Sequence, residues 1–265
     1  IIFYYLFQTE NKNIWVLQNN GLSFFDFKSP FICAFDQASV YDILVKDNFV
    51  YLATNNGIFY SKFSTNANAF NFIKIEGLQG QSWSIQNIEN DILICHDTGI
   101  YKLSDGTFEK IDTQAGFWKI TAINDKPGFY LASNYVGLYL ITKEEGHWKI
   151  VNKIKGFDES SRDILADTEP NTYWVCHGYK GVYKLHFNSD YSRVDAVDHF
   201  TDKNGFKSPY NINVFNWKGK IIFTTNTGIY DYNNHNSRFE LYEPLNKLFE
   251  KKKNTRKILV ANNKT

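Results

Sequence analysis

The chain has 265 residues and a near-even balance of 29 basic and 28 acidic side chains, for a net charge of +1. That balance argues against a nucleic-acid surface, which needs a clustered positive field, and no apolar stretch reaches the roughly 18 residues that span a bilayer. Three scattered cysteines, Cys33, Cys95 and Cys176, give no disulfide framework.

Aromatic residues make up 17% of the chain, and aromatics favour half-buried pleated surfaces. One pattern recurs from end to end. A short apolar run leads to a polar tip, then Gly, then an aliphatic residue and an aromatic. In chain order the copies are Ile14-WVLQNN-Gly21, Val50-YLATNN-Gly57, Ile92-LICHDT-Gly99, Phe129-YLASNYV-Gly137, Tyr173-WVCHGYK-Gly181 and Ile221-IFTTNT-Gly228. Their glycines fall 36 to 47 residues apart, close to the roughly 40–45 residues of a four-stranded propeller blade. Each copy reads as a hairpin whose Gly tolerates the backbone of a tight turn.

Upstream of each hairpin a further strand is predicted, at Val40-YDILV, Trp83-SIQNI, Trp118-KITAI, Arg162-DILAD and Tyr210-NINVF. Downstream lies a fourth, at Phe70-NFIKI, Thr107-FEKI, His147-WKIV, Arg193-VDAVDHF and Arg238-FELY. The prediction is therefore an all-β fold, a β-propeller of four-stranded blades in a single domain over 1–265. Residues 1–35 read as a nearly whole blade. Residues 256–263 read as the first strand of another, so a seven-bladed parent protein is expected, with six as the alternative. The sequence contains no Met and reads as a segment of a longer protein. The one basic run, Lys251 to Lys253 with Arg256 and Lys257, reads as a solvated loop.

In a propeller, the loops between the second and third strands share a face with the loops that lead to the next blade. Two tips on that face stand out. Asn134-Tyr135-Val136 and Gly178-Tyr179-Lys180 look longer by one residue, and each carries an aromatic. Between them in sequence lie Ser160, Ser161 and Arg162, and Trp83 and Trp118 open neighbouring inner strands. Trp83, Trp118, Asn134, Tyr135, Ser161, Arg162, His177, Tyr179 and Lys180 are thus the candidate ligand-binding residues. Sugar rings stack on aromatic faces and their hydroxyls need donors and acceptors, while an Arg fork suits a carboxylate. The opposing readings are structural. The tryptophans fill space between blades, Arg162 fastens two blades, and tip Asn residues form hairpins. Cys95-His96 and Cys176-His177 occupy one repeat position, and each His is expected to bond a neighbouring loop beside a buried Cys. No metal, cofactor or catalytic motif is expected.

The unit resembles the two-component regulator propeller repeat, in Asn11-KNIWVLQNNGLSFFDF and in Gly156-FDESSRDILAD with YWVCHGYKGVYKL, most specifically at Ser160-Ser161-Arg162 and His177-GYKG. The resemblance implies a periplasmic or extracellular sensor of a bacterial regulator that signals to transcription. In such proteins propellers precede a triple-tyrosine Ig-like domain, a membrane helix and a kinase or DNA-binding part, none of which this sequence holds. It further implies an oligosaccharide as signal and a second propeller or a homodimer partner. Membrane linkage would come only through parts C-terminal to this sequence. A carbohydrate-active lyase or hydrolase and a protein-binding scaffold are the alternatives.

Overall fold

Short apolar runs ending in polar tips give antiparallel hairpins throughout. A computed structural model of the chain describes residues 3–10, 13–18, 21–25, 33–66, 69–112 and 114–249. These residues fall into two compact units, a smaller one from 1–37 and 64–71 and a larger one from 38–63 and from 72 onward. The smaller unit holds β1 (Phe3–Gln8), β2 (Ile14–Gln18) and β3 (Gly21–Phe25), a three-stranded antiparallel sheet in chain order. Val16 is buried there, and the Trp15 and Phe24 rings meet at 4.5 Å.

The larger unit contains five four-stranded sheets. The second blade is β4 (Val40–Lys46), β5 (Phe49–Thr54), β6 (Gly57–Lys62) and the short β7 (Ile73–Lys74). The third is β8 (Ser82–Ile88), β9 (Asp91–His96), β10 (Gly99–Ser104) and β11 (Thr107–Lys110). The fourth is β12 (Phe117–Ala122), β13 (Phe129–Asn134), β14 (Gly137–Glu144) and β15 (His147–Lys153). The fifth is β16 (Asp163–Ala166), β17 (Thr172–His177), β18 (Gly181–Phe187) and β19 (Val194–Phe200). The sixth is β20 (Asn213–Trp217), β21 (Lys220–Thr224), β22 (Ile229–Asn233) and β23 (Arg238–Leu241). The inner strands β4, β8, β12, β16 and β20 lie side by side in that order. Four-stranded sheets succeeding one another about their first strands are propeller blades. The expected strand at 256–263 and the basic run from 251 lie outside the described residues.

The cores lie between blades. Ala53, Ile58 and Ile75 of the second blade pack on Ile85, Ile92 and Ile94 of the third. Leu93, Cys95 and Ile100 of the third blade pack on Phe117, Ala132 and Tyr139 of the fourth. Successive residues of β9 thus feed opposite cores, since strand side chains alternate. β17 repeats this, with Tyr173 and Val175 facing the fourth blade and Trp174 and Cys176 facing the sixth. This explains why these strands read as continuous apolar runs: both faces are covered. Fully burying one such side chain is worth about 2 kcal/mol.

Polar ties follow the same route along the inner strands. Asp42 Oδ2 accepts from Ile85 N at 3.2 Å, and the Gln86 amide bonds both N and O of Ile120 at 2.9 Å. Lys119 Nζ reaches Asp163 at 3.0 Å, and Arg162 donates to Ile212 O at 2.8 Å and Asn213 Oδ1 at 2.9 Å. From the second blade to the sixth, each therefore hands a polar side chain to the next.

A feature not predicted is α1 (Glu243–Phe249). Pro244 suits a first helical turn, where its missing N–H costs nothing. Leu245 is buried, and the Asn246 amide accepts from Ile229 N at 3.0 Å and donates to Ile229 O at 2.6 Å. A side-chain amide here bonds β22 as a neighbouring strand's peptide would.

Candidate functional site

The end of the second strand in each blade shows why the face is ordered. Thr54, His96, Asn134, His177 and Thr225 occupy equivalent positions, and each offers a side-chain acceptor to the turn that follows. Thr54 Oγ1 takes Asn56 N at 3.0 Å, His96 Nδ1 takes Thr98 N at 3.0 Å and Asn134 Oδ1 takes Val136 N at 3.0 Å. His177 Nδ1 takes Tyr179 N at 3.1 Å and Lys180 N at 3.2 Å, while Thr225 Oγ1 takes Thr227 N and Gly228 N, both at 3.1 Å. Each His therefore caps its own turn, where a bond to a neighbouring loop was expected, and the Cys beside it is buried as expected, at Cys95 and Cys176. Burial pushes the His177 imidazole below its ordinary pKa, and the nearby Glu159 carboxylate opposes this without cancelling it.

These tips are stitched to the segments leading into the inner strands. Asp97 N donates to Gln81 O at 3.0 Å, Gly116 N to Asp97 O at 2.8 Å and Tyr135 N to Gly116 O at 2.8 Å. Further along, Ser161 N donates to Asn134 O at 3.0 Å and Asn211 N to Gly178 O at 3.1 Å. The two sets of loops converge as expected.

In the larger unit, three inner strands begin with the same irregularity. Pairing shifts register between Val40 and Asp42, between Ser82 and Ser84, and between Phe117 and Lys119. The extra residues are Tyr41, Trp83 and Trp118. A bulge frees its extra residue from the pleat and re-aims the side chain. The result is a ladder of half-buried rings across three blades. Tyr41 stacks on Trp83 at 4.8 Å, Trp83 meets Trp118 at 4.5 Å, and Trp118 meets Tyr135 at 4.8 Å. Trp83 Nε1 donates to the Tyr135 hydroxyl at 2.6 Å, Trp118 Nε1 to Ser160 Oγ at 3.2 Å, and the Tyr41 hydroxyl to Gln81 Oε1 at 3.3 Å. Burial raises the Tyr135 phenol pKa, and the Asp97 carboxylate adds to the rise.

Of the candidates named from sequence, the structure thus gathers Trp83, Trp118 and Tyr135. A neighbouring group contains exposed Tyr179 and Lys180, whose ammonium pairs with Glu159 at 2.7 Å. The segment Glu159–Ser160 links the two groups, since Glu159 holds Lys180 and Ser160 holds Trp118. The other candidates are turned inward. Asn134 is buried and spent on its turn and on Ala115 O at 2.7 Å. Ser161 is buried and donates to Glu159 O at 3.2 Å, and His177 is buried as a turn cap. The Arg162 guanidinium binds the sixth blade, the fastening role weighed against a carboxylate clamp. Its neighbour Lys119 is raised in pKa: burial works against its charge, but Asp163 outweighs burial.

The tip of the fourth blade is not the longer one it looked. Asn134 pairs with Gly137, leaving two tip residues, as between Thr54 and Gly57. The extra residue counted there is Phe129, which starts the strand opposite Thr142. Only the fifth-blade tip, between His177 and Gly181, has three residues among these.

Tyr41 was missed, and its signal was available: Val40-Tyr41-Asp42 aligns with Ser82-Trp83-Ser84 and Phe117-Trp118-Lys119 at the start of the repeat. Among the described residues, no group of three or more His, Cys, Asp or Glu side chains is arranged to hold a metal ion. No helix among them is long and apolar enough to cross a membrane.

No protein-family model matches the chain, and no curated protein sequence matches it. Solved structures do. One, described as the extracellular domain of a one-component system of B. thetaiotaomicron, shares 15% identity with a TM-score of 0.58, over 89% of this chain and 36% of that one. Another, described as the extracellular domain of a hybrid two-component system of the same organism, shares 16% identity with a TM-score of 0.58, over 91% and 34%. A third, titled AfRom2 CNH domain, shares 13% identity with a TM-score of 0.55, over 84% and 76%. The chain spans about a third of the length of the two B. thetaiotaomicron domains. At these identities the likeness is one of fold, and the fold it shares with these extracellular domains of regulatory systems is the β-propeller.

Proposed function

We propose that the chain is a non-enzymatic, ligand-sensing propeller of an extracytoplasmic receptor, periplasmic in a bacterium, that signals to transcription and takes an oligosaccharide on the ladder Tyr41–Trp83–Trp118–Tyr135. The ladder carries this reading. Four half-buried rings from three blades form one run, with Ser160, Gln81 and Asp97 at its edges. Sugar faces stack on such rings, and sugar hydroxyls find acceptors in the carboxylate and the amide. The extracellular, regulatory nature of two structural neighbours supports the sensing context. A second propeller or a second copy of the receptor would complete the signal.

The test is a thermal-shift screen of the chain against neutral and acidic oligosaccharides. A ligand of the native state raises the melting temperature in proportion to RT ln(1 + [L]/Kd). The expected result is a hit whose shift disappears in the double variant Trp83→Ala, Trp118→Ala, with far-UV circular dichroism unchanged. A screen with no hit, or a hit indifferent to the double variant, would remove the ladder as the binding site.

A further inference from the structure

Five blades cap the turn after their second strand with Thr, His, Asn, His and Thr, and only the two histidines can take up a proton near neutral pH. His96 has the unusual surroundings. Its Nδ1 lies 3.0 Å from Thr98 N, 2.8 Å from Thr98 Oγ1, a hydroxyl that can donate or accept, and 2.6 Å from Asp97 Oδ1. Two of these neighbours make opposite demands. The Thr98 N–H needs a lone pair on Nδ1, whereas the carboxylate oxygen needs a proton there. One nitrogen cannot serve both at once. With Nδ1 bare, buried Asp97 Oδ1 has no hydrogen-bond partner; with Nδ1 protonated, Thr98 N loses its acceptor.

The turn that would move is woven into the aromatic ladder. Asp97 N holds Gln81 O, and the Gln81 side chain holds Tyr41. Asp97 O holds Gly116 N, and the Tyr135 ring packs against Gly116. Tyr135 in turn receives the Trp83 indole at 2.6 Å. We propose that His96 is a proton-operated switch beneath the ladder. Protonation of Nδ1 exchanges the Thr98 N–H bond for one to Asp97, shifts the Asp97–Thr98 turn, and loosens the contact of Tyr135 with Trp83.

The groups facing His96 are few. On its own turn are Asp97 and Thr98, and on β10 is Tyr101, edge-on at 5.6 Å. Lys110 of β11 repels a charged imidazole, and the Gln79 backbone and Gly80 close the side toward the entering loop. Burial pushes the imidazole pKa below its ordinary value, with Asp97 pulling the other way. The switch therefore operates on acidification.

The regulatory meaning rests on the ladder as the ligand platform; the switch itself does not, and it can be read without any ligand. The experiment is an NMR titration of uniformly labelled protein from about pH 7.5 to about 4.5, following the His96 ring and the Trp83 indole N–H. The expected result is a Trp83 resonance that moves with the His96 midpoint. His96→Asn installs the cap found at Asn134, keeping an acceptor without a titration, and should leave the Trp83 resonance without that midpoint. His96→Thr, the cap found at Thr54 and Thr225, serves if the Asn variant does not fold. A His96 that never protonates in the folded range overturns the proposal. So does a Trp83 resonance that stays still while His96 titrates, or one that moves equally in the variant. A failed glycan screen leaves these outcomes untouched, so the two ideas fail separately.

Discussion

Trp83 and Tyr135, 52 residues apart, are joined by a 2.6 Å hydrogen bond from indole N–H to phenol oxygen. The bond ties the inner strand of the third blade to the outer tip of the fourth, and it sets the angle of both rings. Tyr135→Phe keeps the ring and removes the acceptor. A neutral hydrogen bond of this kind is worth about 1 kcal/mol net, more when the orphaned donor stays out of water. The expected loss is about 1–2 kcal/mol in urea denaturation, with the near-ultraviolet signal of the tryptophans altered. An unchanged midpoint and spectrum would show that the bond does not form.

Gly116 lies under that phenol. A Cβ placed on it would come 2.4 Å from Tyr135 Cδ2, and its φ of +80° disfavours any L side chain. Gly116→Ala therefore strains the backbone and evicts the ring together. A destabilisation of about 1–3 kcal/mol is expected from the strain, and any glycan that binds the ladder should bind the variant more weakly. Full retention of both properties would contradict the packing described.

Arg162 separates two interpretations of one residue. Its guanidinium bonds Ile212 O and Asn213 Oδ1, so Arg162→Ala should cost about 1.5–3 kcal/mol, the range for hydrogen bonds to charged groups. Affinity for a ligand on the ladder should stay within about twofold. A variant of normal stability that loses an acidic glycan would return Arg162 to the role of a carboxylate clamp.

His177 predicts a pH dependence with a definite sign. Its pKa in the fold is below the ordinary value, because burial disfavours the charged ring. The unfolded chain takes up a proton at about pH 6.5 that the folded one refuses. The associated stability is complete above that pH and is lost as the pH falls toward the lowered value. Guanidine titrations at about pH 7.5 and 5.5 should show a smaller drop in His177→Asn than in the parent chain. Equal drops would place the proton uptake elsewhere.

The thiols offer a simple check on burial. Cys95 and Cys176 are enclosed between blades, with the Cys95 thiol pushed up to about 12 by burial and Cys176 raised well above its ordinary value. Cys33 is exposed. The thiolate is the reactive form, so a thiol reagent at pH 8 should label Cys33 alone in the folded protein and all three cysteines after denaturation. Rapid native labelling of Cys95 would mean that the cores between blades are open.

The blades were legible because turn chemistry repeats. Each polar tip with its Gly marks a hairpin, and six tips at blade-like spacing leave little else to build. Gly181 adds a reason beyond its φ of +91°: a Cβ there would meet Phe200 O at 2.2 Å, so the loop leaving the blade needs that space. The ladder was half legible. Trp83 and Trp118 were evident, but Tyr41 joins them through a bulge, and a bulge is a property of pairing between strands rather than of local composition. The fate of Arg162 was open for a similar reason, since its partners lie 50 and 51 residues downstream on another blade. The helix at Glu243–Phe249 has only seven residues, too few for a periodic stripe to stand out.

The three bulges also bear on how such a surface changes over time. A residue pushed out of the pleat takes no part in the register of its strand, so its identity is weakly tied to whether the blade forms. Tyr41, Trp83 and Trp118 can be exchanged for other shapes while the inner strands keep their partners and the cores between blades keep theirs. If the ladder is the proposed recognition surface, that surface is uncoupled from the scaffold, and a new specificity could be written one rung at a time without rebuilding the protein beneath it.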